Sequence, residues 1–396
     1  MQKPIDRRSF IRTVGGSLVA AVLPPLAAGC STEYPAESVA AWQGPPAELD
    51  LRRWALGHAI LAPNSHNRQP WLVDLREPDV ITLFVDRQRL LPQTDPQFRQ
   101  IVVSQGTFLE ALVLALRERG IAPRVTLFPD GEFAPHALDE RSVARVEWAG
   151  VSPEATTRDP LFAQILRRHT AKVEYDVTRE VSLAMLAALR TALVDPAVAY
   201  GATVDPARRE DLRTLCWESA RVELLTPATV MESVRLTRVG PAEITRYRDG
   251  IAINELMPRV ADAVGAFDRE HPPVEGSTAY SQMMKRFEGH SRTAMGFVWL
   301  STPRGAGAPG PRSAEVRAGR AYYRLQLKAT ELGLQVHPMS QAAQEFPEMK
   351  LHYDRLHQLL VARSAADEPV QMFCRIGYAD PGRATPRRGV DAILRT

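Results

Sequence analysis

The stretch "GTFLEALVLALRERGI" runs from Gly106 to Ile121, and "GRAYYRLQLKATELGL" runs from Gly319 to Leu334. The spacing from the first Gly to the second is the same in both. Leu112, Leu114 and Glu118 recur as Leu325, Leu327 and Glu331 at a constant offset. A Gly just past the last apolar turn is a natural helix stop, because the residue there turns left-handed. Two amphipathic helices can agree by chance, but similar elements flank each one. "WLVDL" and "ITLFVD" read as strands before the first helix, with "RVTLFP" and "RVEWAG" after it. "AVAYGATVD" and "AMGFVWLST" precede the second, and "PVQMFCRIGYA" follows. Helices and strands mix without a regular βαβ period, which predicts an α+β architecture with helices packed around mixed or antiparallel sheets. The repeat predicts two fused halves, residues 47–155 and 156–396, forming an intramolecular pseudo-dimer with a site at the seam.

The start of the chain has a different character. "RRSFIRT" places Arg7 and Arg8 together, and "VGGSLVAAVLPPLAAG" follows. A basic region, a modest apolar run and a small-residue end read as an export signal of the twin-arginine type over residues 1–30. The run is too short to span a membrane comfortably, and Pro24–Pro25 would break it. "LAAGC" resembles a lipoprotein cleavage box ending at Cys30, with Ala27 where Leu is usual. The expectation is a lipid anchor at Cys30 that holds the protein outside the cytoplasm, in the periplasm or on the outer side of the cytoplasmic membrane. Residues 31–46, "STEYPAESVAAWQGPP", read as a tether.

The formal charge of +3 lies in the leader, so the remainder is close to neutral. That excludes a dedicated nucleic-acid binder, which needs a net basic face. Cys216 and Cys374 sit in "TLCWES" and "MFCRIG" and read as separate buried thiols in preference to a disulfide. His352 and His357 are five apart, off the spacing of one helical face, which argues against a metal site.

Three polar constellations carry chemistry. "ILAPNSHNRQPWLVDL", Ile60 to Leu75, is a dense polar loop between a helix and a strand. "RRHTAK" alternates Arg168, Thr170 and Lys172, which in an extended segment share one side and can grip a phosphate. "ATPRRGVDAIL" places Arg387 and Arg388 after the last strand. Taken singly, each basic segment reads as a solvated turn. "GAGAPG", Gly305 to Gly310, lacks the Lys of a phosphate loop, and Ser65 is in no nucleophile elbow.

Taken together, the segments resemble a family. "APNSHNRQPW" is similar to the Ser/Thr/Asn–x–Gln–Pro–Trp loop of the nitroreductase superfamily of FMN enzymes, and "RRHTAK" resembles its Arg–x–Ser–x–Arg/Lys phosphate motif. "TDPQFRQ", Thr94 to Gln100, is similar to the Acg-like branch, in which two nitroreductase halves are fused. The resemblance implies a nitroreductase-like FMN-binding fold with the flavin at the seam. Arg168 would bind the FMN phosphate, and Arg387 and Arg388 would complete the grip. Thr170 would contact the flavin or its ribityl chain, and Lys172 would stabilise the anionic reduced ring. Pro63, Asn64, Ser65 and Asn67 would line the ring, with Gln69 and Trp71 as scaffold. "GLQVHPMSQ" resembles the strip beside the flavin, placing His337, Pro338, Met339, Ser340 and Gln341 there. The second half lacks the Asn–x–Gln–Pro–Trp loop and the first lacks an Arg–x–Thr–x–Lys segment, so one FMN per chain is expected.

Departures narrow the reading. Ser340 stands where many members carry Glu, and Arg68 replaces a small residue. Residues 230–289 are extra and read as a helical lid. His66 reads as a surface-turn histidine. The expected function is two-electron transfer through bound flavin to a nitroaromatic, quinone-like or enone acceptor by a functional monomer. NAD(P)H is among the candidate donors, although export weighs against it. The alternative is a protein that sequesters flavin without turnover.

Overall fold

A computed structural model describes residues 31–47, 50–150, 158–305, 308, 310–361 and 363–395. The twin-arginine segment, Cys30 and the expected boundary at 155/156 lie outside the described residues.

In the first half, strands β1 (Trp71–Asp74), β2 (Val80–Val85), β3 (Arg124–Leu127) and β4 (Ala144–Glu147) form a sheet of order β1-β2-β4-β3. In the second, β5 (Ala199–Thr203), β8 (Gly296–Ser301), β9 (Gln335–Pro338) and β10 (Val370–Gly377) form a sheet of order β5-β8-β10-β9. The order is the same in both, first-second-fourth-third, and every neighbouring pair is antiparallel. Even the hairpin register agrees: Trp71 faces Val85, and Ala199 faces Ser301. A long helix joins the second strand to the third in each half, α3 (Arg99–Glu118) and α10 (Pro311–Glu331). Gly120 and Gly333 follow these helices with φ of 77° and 70°, the left-handed stop expected of them.

These two helices pack on each other at the two glycines that mark the repeat. A Cβ on Gly106 would lie 2.1 Å from the Val316 carbonyl oxygen, and one on Gly319 would lie 2.0 Å from that of Val103. Backbone therefore touches backbone at equivalent residues, as at the axis of a two-fold dimer. Charged pairs flank the crossing: Glu110 takes Arg320 at 2.8 Å and Arg324 at 3.0 Å, and Arg324 reaches Asp159 at 2.8 Å. Helix α3 is apolar enough to cross a membrane by composition, but 94% of its apolar window is buried, so it is the core helix of the first half.

The halves exchange their ends. After β10 the chain crosses to the first sheet, where Leu394 bridges Val73 beside the edge strand β1 and the Arg395 N–H donates to Val73 O at 2.8 Å. After β4 it crosses the other way, into a 3-10 helix, Pro160–Arg167, capped by the Asp159 carboxylate on Leu161 N. Pro160 at its first turn fits the rule that proline costs no hydrogen bond there.

Two expectations change. Residues 31–46 are not a free tether: α1 (Ala36–Val39) and the 3-10 turn Ala40–Gln43 pack on the body, with Ser38 and Trp42 buried. The excursion read as residues 230–289 is larger. In the first half β1 and β2 are joined by a short turn, whereas β5 and β8 are separated by everything from residue 204 to 295. Its first helix, α5 (Pro206–Leu225), packs Leu212, Leu215 and Cys216 with Phe297, Trp299 and Phe373 of the second sheet. That is why β8 is buried at every position while β1 alternates. The rest holds α6 (Pro227–Arg235), α7 (Gly240–Tyr247) and a small parallel pair, β6 (Thr237–Val239) with β7 (Ile251–Ile253). Helices α8 (Leu256–Ala263) and α9 (Thr278–Arg292) complete it.

Gly106→Ala is expected to force the two central helices apart. The variant should lose about 2 kcal/mol or more of stability in urea denaturation, whereas Gly305→Ala, with open space around its Cβ position, should lose far less.

Candidate functional site

The loop before β1 is held in an unusual backbone conformation. His66, Asn67 and Gln69 take φ of 47°, 51° and 51°, the left-handed region that non-glycine residues rarely occupy. Side chains hold it there. Asn64 Oδ1 accepts from Gln69 N at 2.7 Å, and Ser65 Oγ donates to Gln100 Oε1 at 3.1 Å. Buried Gln69 donates to Arg248 O at 2.8 Å and accepts from Arg388 N at 2.8 Å. Trp71 is fully buried, donates its indole N–H to Ser104 O at 3.0 Å and packs on Phe108. Gln69 and Trp71 are thus scaffold, as expected.

The exchanged ends bring two arginines to this loop. Arg387 Nη1 donates to Asn67 Oδ1 and to Thr385 Oγ1, while Asn67 Nδ2 donates to Pro386 O at 3.0 Å. Arg168 Nη1 donates to Gln326 Oε1 at 2.7 Å and lies 3.3 Å from Thr170 Oγ1. Both guanidinium groups reach the Leu61 carbonyl oxygen, Arg168 at 3.1 Å and Arg387 at 3.3 Å. Both lie beside the Trp42 ring, at 5.6 and 5.3 Å from its centre, a cation–π arrangement that tolerates burial. Trp42 was missed from sequence; a lone indole in a stretch of small residues was the available signal.

Arg168 is 2% exposed and Arg387 4%, and among the described residues neither meets a carboxylate. Burial lowers the pKa of both, and the proximity of Arg168 adds to that at Arg387, which is pushed down to about 9. The Nε atom of each is buried without a partner. Two unpaired buried cations side by side are costly unless an anion completes them. The donors present therefore fit a phosphate: two guanidinium groups, a hydroxyl at Thr170 and a further cation at Lys172.

Lys172 continues the alternation. By area it is exposed, yet burial, followed by Arg286 and Arg387, pushes its ammonium down to about 8. Both hold if it lines a recess enclosed by protein. His66, His290 and His337 all feel its charge. Burial, then Lys172 and Arg68, pushes His66 down to about 4. His66 is not the surface-turn residue expected: its Nε2 lies 3.1 Å from Ser233 Oγ of the insert. His290 packs edge-on to His337, which takes the Nε–H of wholly buried Arg375 at 3.0 Å. His337 belongs to the strip expected beside the flavin, whereas His290 and Arg286 had no motif to announce them.

The remaining expected residues differ in what they touch. The Arg388 guanidinium turns to Asp86 at 3.6 Å and to Ala392 O, so only its backbone N–H serves the loop. Gln341 lies near Glu223 of α5, whose carboxylate accepts from Gln344 Nε2 at 2.7 Å and which burial pushes up to about 7. Ser340 opens the 3-10 turn Ser340–Ala343, and Pro63 O accepts from Thr107 Oγ1 at 2.7 Å. A recess of about 220 Å³ beside Thr302, Arg304 and Gln371 is lined by none of these residues.

The insert clamps the loop directly. Asp249, 4% exposed, takes Arg89 at 2.7 Å, Arg238 at 2.9 Å and Arg68 at 3.3 Å, and Gly250 N donates to Asn67 O at 3.2 Å. Arg68, out of place by the loop pattern, is the loop's half of this latch. Asp249→Asn removes the acid shared by three guanidinium groups and leaves, among the described residues, only Asp86, 3.2 Å from Arg89 Nε. It should cost about 3 kcal/mol in denaturant melts and open the insert to trypsin first. Lys172 should show an apparent pKa near 8 in competitive amine labelling read by mass spectrometry, and inorganic phosphate should suppress its reaction.

No family model matches the chain. The putative NAD(P)H nitroreductase acg of Mycobacterium tuberculosis is 24% identical over 356 residues, covering 87% of this chain and 95% of that protein. A second putative NAD(P)H nitroreductase of that organism is 25% identical over 365 residues, covering 88% and 92%. The solved FMN and NADPH-dependent nitroreductase NfnB of sphigopyxis sp. strain HMH is similar at 14% identity over 60% of this chain and 99% of that one, with a TM-score of 0.37, a likeness too loose to transfer any position. Duplicated halves, exchanged ends and relatives matched nearly end to end agree: this chain is a homologue of the Acg-like nitroreductases, built as a single-chain pseudo-dimer.

Proposed function

We propose that this protein is an exported FMN-dependent oxidoreductase of nitroreductase type. It passes two electrons, taken from NAD(P)H or a quinol, to a small nitroaromatic, quinone-like or enone acceptor. The observation that carries this reading is the meeting of Arg168 and Arg387, buried and with no carboxylate partner among the described residues, on one carbonyl oxygen of the loop at the seam. When bound, FMN supplies the two-electron chemistry. Arg168, Arg387 and Thr170 would hold its phosphate. Asn67 holds Arg387 by a side-chain bond, so the loop and the cation are set together. Trp42 covers both guanidinium groups and keeps water from them. Lys172, ionised only in part near pH 8, would keep positive charge at the recess and become fully charged beside an anion. Pro63, Asn64, Ser65 and Asn67 would form the loop wall, with Ser340 and Gln341 on the far strip. Export by the twin-arginine route and lipidation of Cys30 belong to the same proposal and rest on the leader sequence.

A flavin-sequestering protein is the second reading. It is favoured by the insert's bonds to the loop, through Ser233, Arg248, Asp249 and Gly250, which close that side.

The purified protein should be yellow, with flavin absorbance near one per chain. A colourless protein that takes up no added FMN would overturn both readings. Arg168→Ala should weaken FMN binding at least about tenfold, the worth of a charge-assisted hydrogen bond, while His66→Ala retains the flavin. Anaerobic addition of NADH, NADPH or a quinol separates the readings: bleaching supports the enzyme, and none with any donor supports sequestration.

A further inference from the structure

Helix α8 of the insert carries an apolar face that none of the described residues covers. Leu256 is 51% exposed, Met257 72%, Val260 47% and Val264, just past its end, 73%. At 3.6 residues per turn these four fall within a sector about 100° wide. The opposite side is tied down, since Asp262 Oδ1 accepts from Arg269 Nη2 at 3.0 Å, while on the flank of the face Arg259 Nη1 reaches Ser31 O at 3.4 Å. Val274, further along the insert, is also 73% exposed.

The contact with Ser31 says what lies beneath this face. Residues 31–34 are pinned along the same stretch of the insert. Arg383 donates to Thr32 O and pairs with Glu255 at 3.5 Å. Asn254 Nδ2 donates to Glu33 O, and Tyr34 OH donates to Ala252 O at 3.0 Å. Ahead of Ser31 stands the apolar run ending in "LAAGC" at Cys30. Adjacent Cα atoms are about 3.8 Å apart, so whatever holds residue 30 at a lipid surface holds α8 at the same surface. A lipid anchor holds only residue 30, and an apolar helix face beside it gives a second signal for attachment.

We propose that the Leu256–Met257–Val260–Val264 face of α8 rests on a lipid bilayer, lying in the headgroup–acyl boundary as that second signal. The insert that latches the flavin loop through Asp249 is then also the part of the protein that touches the membrane. This rests on the face and the pinned segment, not on the flavin assignment, and bound flavin is read separately by absorbance.

The test uses the full chain with Val264→Cys carrying an environment-sensitive dye, read against the full chain without an added cysteine. A matched dye at Leu351→Cys, a site 75% exposed on α11 (Lys350–Leu360), is the comparison. Vesicles of phosphatidylcholine and phosphatidylglycerol with brominated acyl chains should blue-shift and quench the dye at 264 and leave that at 351 unchanged. Met257→Asp with Val260→Asp should lower vesicle partitioning at least about tenfold, because a charge replaces buried apolar area, with melting temperature and flavin content unchanged. A dye at 264 that ignores vesicles overturns the proposal, as does equal quenching at both sites. A blue shift before vesicles are added also overturns it, since residues 14–23 or a second copy then cover the face.

Discussion

Everything else in the molecule hangs on the crossing of Arg99–Glu118 with Pro311–Glu331 at Gly106 and Gly319. Two backbones approach there so closely that neither position has room for a methyl group. Close approach lets the apolar faces of both helices serve both halves: Val316, Tyr323 and Leu327 of the second helix belong to the core of the first half. Glu110 between Arg320 and Arg324 satisfies the charges buried beside the contact. Once the crossing is set, the halves are rigidly related and their chain ends fall across each other. The site is a consequence of that exchange, because Arg387 rides on a segment that leaves the second sheet and pairs with the first.

Fusion removes the need for the two halves to be alike, and the second has used that freedom. Where the first half makes a short turn between its first two strands, the second inserts more than a helix bundle's worth of chain. Part of that excursion, Pro206–Leu225, has become core by covering the second face of its sheet. The remainder, from Pro227 onward, reaches back to the loop of the other half. Asp249 among Arg68, Arg89 and Arg238 is the hard contact in that reach. A single acid shared by three cations is stable only while all partners stay in place, which couples the insert's position to the loop's.

Much of this was legible from residues. The repeat of Leu112, Leu114 and Glu118 as Leu325, Leu327 and Glu331 located the pseudo-dimer, because helix ends marked by glycine leave a spacing that survives sequence drift. Seven of the ten strands among the described residues were readable around the repeated helices; Thr237–Val239 and Ile251–Ile253, inside the stretch read as helical, and Gln335–Pro338 escaped as strands. Arg168, Thr170 and Arg387 were visible because polar residues in short alternating or paired runs stand out against apolar elements. Trp42, Arg286, His290 and Asp249 were not, because they meet partners on other elements of the fold and no local spacing records such contacts.

By itself the sequence determined the period of the duplication, the identity of the polar loop and the cations available to it, since these depend on neighbours along the chain. It could not decide which cation faces the seam. Arg387 and Arg388 are adjacent and chemically identical, yet Arg387 is buried on Asn67 while the Arg388 guanidinium turns to Asp86. Backbone direction after Pro386 makes that choice, and it is set by the return of Leu394 to the edge of the first sheet. Tertiary structure likewise turned an apparent tether into a wall of the site, because burying the Trp42 ring against two guanidinium groups requires both halves to be present at once.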